Sequence, residues 1–366
     1  MKFVTPLLKK IVYPAMSMSG LLPRIARCGL AVVTYHGVIP AGYNSTDAAL
    51  DGNLVSADAL RRQLRLLKAR YQVISPDDAR AWSEGRGKLP SRAVLVTCDD
   101  GLLNCLTDML RVLKEEKVSC LFFVTGYSTA ETRSVLWYEE LYLLFREARA
   151  GRFEISSDFS VTAELGSVEA RRAVWWDCVR KLSQFNLSVR NAFIRAARAE
   201  LKVDQPLACD AKSTEACRRF GLMTASELRE LTAPGMAVGA HTMSHPMLSR
   251  APSALAYEEI AGSRAAVSST IAQPVWAFAY PFGDRQSVTP EVLTMTEKAG
   301  FSAAFLNYGG GLGVDLPRYS LPRVHVTAEM SLAELEVQVS GLYSRLRRLA
   351  PSADAELAHH ELSSHE

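Results

Sequence analysis

The chain has 366 residues, 48% hydrophobic and 22% charged, with a formal net charge of +3. That is enough for a large core, as one big domain or one domain carrying an insertion, and the charge is too mild to argue for a nucleic-acid partner. No P-loop and no G-x-G-x-x-G run is present, so the common phosphate- and dinucleotide-binding classes are set aside.

No Asp or Glu precedes Asp47, whereas Lys2, Lys9, Lys10, Arg24 and Arg27 fall among apolar residues. The uncharged run from Ile11 to Pro23 is too short to span a bilayer and contains Pro14, Gly20 and Pro23. The absence of a small-residue cleavage site after a clean apolar core argues against a signal peptide. Residues 1–29 therefore admit two readings: a basic, apolar segment resting on an anionic membrane surface, or a helix packed on the domain. The seven cysteines, at 28, 98, 105, 120, 178, 209 and 217, show no C-x-x-C spacing. They predict a reducing, cytoplasmic setting, against a disulfide framework or a zinc finger, with most of them acting as small core residues.

Residues 31–36 read as a buried strand ending at His36. Residues 56–70 read as an amphipathic helix capped by Ser56, with Leu60, Leu64 and Leu67 on one face. Short strands follow at 71–74 and 93–97, the second delivering Asp99 and Asp100. A helix over 102–116 and a strand over 120–124 continue the alternation, which predicts parallel crossover units. From 130 to 220 the spacing turns helical and predicts a mainly helical insertion, with Trp175, Trp176, Phe185 and Phe193 in its own core. A capping-box pattern (Thr224, Glu227) then opens a helix over 224–230, and a strand over 237–240 leads to His241. A helix over 257–270, a strand over 276–280, a helix over 290–299, a strand over 303–306 and a helix over 331–349 complete the domain. Residues 351–366 read as a disordered tail.

The chemistry-bearing residues stand at strand ends. His36, Asp99, Asp100, His241 and the run Tyr280-Pro281-Phe282 each follow a short apolar strand, and in a parallel barrel those ends share one face. One carboxylate and two imidazoles can hold a divalent metal with positions left open, and a second carboxylate beside them can act as a base. An Asp-Asp-Gly turn or a lone histidine is common by itself, but Thr97-Cys98-Asp99-Asp100-Gly101 together with His241-Thr242-Met243-Ser244-His245-Pro246 is specific. Pro246 disfavours helix at His245, so a tight loop is expected there.

These runs resemble the polysaccharide deacetylase (NodB-homology) group, carbohydrate esterase family four, whose motifs read T-F-D-D-G and H-S/T-x-x-H-P, with a third centred on proline-aromatic-glycine, here Tyr280-Pro281-Phe282-Gly283. The resemblance covers about residues 30–125 and 222–330. It implies an α/β fold, a distorted (β/α) barrel over residues 30–350 with the helical insertion at 130–220. It also implies Asp99 as general base, Asp100, His241 and His245 as metal ligands, and the Phe282 N–H as oxyanion donor. Tyr280 and Pro281 are expected at the substrate. The early Tyr35-His36-Gly37 run resembles the subgroup typified by poly-N-acetylglucosamine deacetylases and marks His36 as the general acid, ahead of its competitor His325. The third motif departs from the family, with Ala279 where an arginine usually holds the base. Arg323 is the candidate replacement, against an ordinary structural pair.

The activity implied is metal-dependent removal of N-acetyl groups from amino sugars of a polysaccharide or lipid-linked glycan. Zinc is the default metal, with nickel, cobalt or iron as alternatives. A deformylase or amidohydrolase on another N-acylated substrate, or an inactive carbohydrate-binding homologue, are the competing readings. The glycan and a peripheral membrane surface are the expected partners, and nucleic acid is not.

Overall fold

The computed structural model describes residues 8–25, 29–45, 47–203, 214–232, 235–314 and 316–342. Its strands are β1 (Leu30–Tyr35), β2 (Gln72–Val73), β3 (Ala93–Cys98), β4 (Cys120–Val124), β5 (Arg152–Ile155), β6 (Val161–Glu164), β7 (Met236–Ala240), β8 (Ala277–Ala279), β9 (Ala303–Gly309) and β10 (Leu321–His325). Seven of them close a parallel ring in the order β1-β3-β4-β7-β8-β9-β10, with β10 returning to β1. β2 adds to β3 outside the ring. This is the (β/α) barrel that the motif resemblance implied, assembled from the parallel crossover units that the alternating elements predicted.

Side-chain parity explains why nearly every strand residue is apolar. Val94, Val96 and Cys98 of β3 join the layer between strands and outer helices, while Ala93 and Leu95 point into the barrel. β1 and β4 divide likewise: Ala31, Val33, Tyr35, Cys120, Phe122 and Val124 face the helices, and Leu30, Val32, Leu121 and Phe123 fill the interior. Both faces are thus withdrawn from water, as in parallel sheets generally. The outer layer is built as the sequence suggests. Ser56 accepts from the Ala59 N–H (3.1 Å) to cap helix Ala57–Arg70, whose Leu60, Leu64 and Leu67 are buried. Thr224 and Glu227 form the capping box of helix Ala225–Leu231.

The insertion packs its own core. Helices Trp137–Glu147, Val168–Leu182 and Leu187–Leu201 enclose Leu141, Phe145, Trp175 and Phe193. Trp176 is partly buried against them, and Phe185 is 40% exposed, at the margin of the core expected to hold it. The antiparallel hairpin β5–β6 is an addition to the helical reading.

The N-terminal segment lies on helix Leu332–Val339: Lys9 pairs with Glu334 at 3.0 Å, and Ser17 Oγ donates to Glu336. No helix among the described residues is long and apolar enough to cross a membrane. Cys98, Cys105, Cys120 and Cys178 are free and buried, whereas Cys217 is disulfide-bonded. The end of the helix expected over 331–349 and the tail expected over 351–366 lie outside the described residues.

Candidate metal centre

The inward parity of β3 runs through Ala93, Leu95 and Thr97 to Asp99, so the Asp99 side chain enters the barrel just beyond its last strand residue. There it meets Arg323, inward on β10 by the same parity as Leu321. The guanidinium donates from Nη1 to Oδ1 (2.7 Å) and from Nη2 to Oδ2 (2.5 Å), a bidentate pair. Arg323 is itself fixed, donating from Nε to the Leu306 carbonyl (2.5 Å) and from Nη1 to Thr97 Oγ1 (3.3 Å). Asp99 is 2% and Arg323 1% exposed. Burial pushes the Asp99 carboxyl up, but the guanidinium more than offsets this and holds it below the usual carboxylate range. Arg323 thus occupies the role that Ala279 cannot fill.

Asp100 leaves the strand parity. Its φ of +75°, followed by Gly101 at +81°, turns its carboxylate away from Asp99. Such a conformation is rare outside glycine, asparagine and aspartate. Its Oδ1 lies 3.5 Å from His241 Nε2 and 3.4 Å from His245 Nε2, and the three ligand atoms are all within 4.8 Å of one another. All three residues are buried. Asp100 Oδ1 makes no hydrogen bond at all among the described residues. A buried carboxylate oxygen without a donor is costly, and two imidazole nitrogens at the same point make a shared divalent cation the natural occupant. His241 Nδ1 sits 2.7 Å from the Ala279 carbonyl, which leaves Nε2 as the free donor atom. The residues therefore fit a metal of the His₂-carboxylate class.

The imidazoles and carboxylates influence one another. Burial pushes the Asp100 carboxyl up, but the two histidines outweigh it and hold the carboxyl well below the usual range. Burial drives His245 down, with His241 and Arg190 adding to the effect. His241 is raised, because the aspartates overcome burial.

β1 lies between β3 and β10, with Thr34 in register with both Thr97 and His325. His36 and His325 therefore stand together, ring centroids 4.8 Å apart. Burial, with help from His36 and Arg323, pushes His325 down to about 3. His36 acts electrostatically on both aspartates. Phe282 has φ +61° and packs its ring 5.3 Å from that of His245, and its N–H makes no hydrogen bond among the described residues.

Tyr280 and Pro281, the residues expected at the substrate, are enclosed by the fold. Tyr280 is 1% exposed and donates its hydroxyl to the Tyr319 carbonyl (2.9 Å), and Pro281 is buried beside it. Both are packed into the turn that carries Phe282. What the turn offers the site is Phe282.

Residues 202–304 match the family model for polysaccharide deacetylase. The barrel is of the polysaccharide deacetylase type. The matched stretch holds His241, His245 and Tyr280-Pro281-Phe282-Gly283, while Asp99 and Asp100 lie upstream of it. Solved structures share the fold of this deacetylase-type barrel at low identity. A Streptococcus pyogenes deacetylase, PplD, in complex with acetate is 15% identical with a TM-score of 0.53, covering 86% of this chain and 99% of its own. IcaB from Ammonifex degensii is 20% identical with a TM-score of 0.51, covering 86% and 97%. A de-N-acetylase from Aggregatibacter actinomycetemcomitans is 12% identical with a TM-score of 0.53, covering 84% and 98%. No curated protein sequence matches the chain.

Sequence reasoning missed three further supports of the site: Glu259, Trp137 and Arg190, all bonded to the loop 242–245. Arg190 carried a signal. It shares one helical face with Phe193, Ile194 and Ala197 (spacing i, i+3, i+4, i+7), a charged residue on an apolar stripe.

Proposed function

We propose that the chain is a metal-dependent hydrolase that removes N-acetyl groups from the amino sugars of a glycan. The observation that carries this reading is the division of labour between neighbours. Asp100 converges with His241 and His245 on one point, while Asp99 is held out of that set by Arg323. A divalent metal at that point, zinc by default, would polarise the acyl carbonyl and bring water toward a pKa of ~7. Asp99, kept ionised and oriented, accepts the proton of the attacking water. The Phe282 N–H donates to the developing oxyanion, a contribution of ~3 kcal/mol for one such donor. His36 delivers a proton to the departing nitrogen, without which the C–N bond would have to expel an amide anion. His325, pushed down to about 3, is neutral near pH 7 and unsuited to that role.

The deacetylase match and the fold shared with deacetylases support the acetyl group and a glycan acceptor. The test is release of acetate, against formate, from N-acetylglucosamine oligomers with and without a chelator. Acetate release that chelation stops is expected, and Asp99→Asn should abolish turnover while retaining the metal. Full activity in Asp99→Asn would remove that residue from the mechanism. His36→Gln should cost ~100-fold or more and His325→Gln much less; the reverse order would exchange their roles.

We also propose that the glycan is met at a membrane surface. Ile11, Met18 and Leu21 are exposed at 60%, 85% and 52% on the N-terminal segment beside Lys10. Sedimentation with anionic vesicles, lost when the three are changed to serine, is the expected result, and failure of the unmodified chain to sediment would refute it. Among the described residues, the free Cys98, Cys105, Cys120 and Cys178 suit a cytoplasmic address and the bonded Cys217 does not; thiol labelling of protein taken directly from cells, with Cys217 reduced, is the outcome this address requires.

A further inference from the structure

The loop that carries His245 is strained. Thr242 and His245 both have positive φ, +64° and +55°, a region that costs a non-glycine residue ~1–3 kcal/mol. His245 moreover precedes Pro246, which restricts it further. The conformation must therefore be imposed by what surrounds it.

Part of that hold comes from the barrel. Thr242 Oγ1 accepts from the His245 N–H (3.0 Å), and Glu259 accepts from the N–H groups of Met243 (2.9 Å) and Ser244 (2.8 Å). The two carbonyls at the ligand end of the loop are instead held by the insertion. Trp137 Nε1 donates to the His245 carbonyl (3.2 Å). Arg190 donates from Nη1 to the same carbonyl (3.3 Å) and from Nη2 to the Ser244 carbonyl (3.1 Å) and Ser244 Oγ (3.2 Å). The Arg190 guanidinium also stacks over the Trp137 ring at 5.1 Å.

Arg190 is 2% exposed, and its hydrogen-bond acceptors are neutral carbonyls, a hydroxyl and the Asn191 amide. A buried guanidinium without a carboxylate acceptor is a poor way to stabilise a fold. Its five fixed donors are, however, well suited to gripping two successive carbonyls. Tyr138, next to Trp137, presents its ring edge-on to His245 at 5.8 Å. Three insertion residues thus surround one ligand.

We propose that Arg190, with Trp137, is a positioning residue of the metal centre, through which the insertion fixes His245 Nε2 on the point it shares with Asp100 and His241. This rests on the metal-centre reading above. It gives the insertion a part in the site, beyond bracing the barrel.

The test uses the full chain and two conservative variants. Arg190→Lys keeps the charge and loses the fork. Trp137→Phe keeps the ring and loses the N–H. Zinc affinity is measured by competition with a chromophoric chelator, ligand geometry by the d–d absorption of the cobalt(II) form, and fold integrity by thermal unfolding of the metal-free protein. Each variant is expected to bind zinc about 10-fold or more weakly, the scale typical of lost outer-shell bonds to a ligand. The cobalt band should shift, and the metal-free melting temperature should stay close to that of the unmodified chain. Should Arg190→Lys fail to fold, Trp137→Phe decides by the same readouts. Folded variants with unchanged zinc affinity and an unchanged cobalt spectrum would overturn the proposal, while absence of zinc binding by the unmodified chain would overturn the metal-centre reading and this inference with it.

Discussion

Asp99 and Asp100 are adjacent in sequence and face different partners, and the difference is one backbone angle. Asp99 continues the inward parity of β3 toward Arg323, while the positive φ of Asp100 swings its carboxylate to the imidazoles. Replacing Arg323 by methionine would leave a buried carboxylate unpaired, a loss of about 3–5 kcal/mol, readable by chemical denaturation together with a fall in turnover. The pH dependence has a definite sign. Asp99 is held below its unfolded value, so the pair's contribution is present above about pH 4 and lost as pH falls through the folded value. The stability gap between the unmodified chain and Arg323→Met should therefore narrow in acid, and a gap of equal size at pH 3 and pH 7 would contradict this. The carboxylates, the two histidines and Arg323 were legible because each closes a short apolar strand or sits in a specific run. The buried fate of Tyr280 was not, because an aromatic beside the motif reads the same whether its hydroxyl meets substrate or a carbonyl such as that of Tyr319.

At the scale of elements, the strands that were easiest to read are those buried on both faces, such as β1, β3 and β4. β10 was obscured by Pro322, which cannot donate to a ladder, and its pairing with β9 does shift register between Leu321 and Arg323. The hairpin β5–β6 was hidden because Arg-Phe-Glu-Ile alternates for only four residues within an arginine- and alanine-rich helical stretch. The seam between insertion and barrel carries a buried cluster in which Arg219 donates to Asp51 (2.5 Å) and to Glu139 (2.6 Å). Burial, only partly offset by Arg219, pushes Glu139 up to about 7. A folded value above the unfolded one means that this contribution is full in acid and lost as pH rises through about 7. Glu139→Gln should flatten the fall in melting temperature between pH ~5 and ~7.5, and an unchanged slope would place the titrating group elsewhere.

For the whole molecule, the seven-strand ring gathers His36, Asp99, Asp100, His241, Phe282 and His325 on one face although almost 290 positions separate the first from the last. The parallel crossover units were legible from the alternation of elements, and the barrel was what the motif resemblance implied. The part the insertion plays at that face was not legible, because the bonds from Arg190 and Trp137 to the histidine loop depend on packing that no spacing reveals. If a metal binds the folded chain and not the unfolded one, a hundredfold excess over its dissociation constant should stabilise the fold by about 2.7 kcal/mol, visible as a rise in melting temperature that a chelator reverses. The most direct test of the assembly is the zinc stoichiometry and affinity of the unmodified chain beside Asp99→Asn and Asp100→Asn. One ion per chain, retained by Asp99→Asn and lost by Asp100→Asn, is the result expected. No stoichiometric binding, or equal loss in both variants, would contradict a centre built from Asp100, His241 and His245 with Asp99 left free.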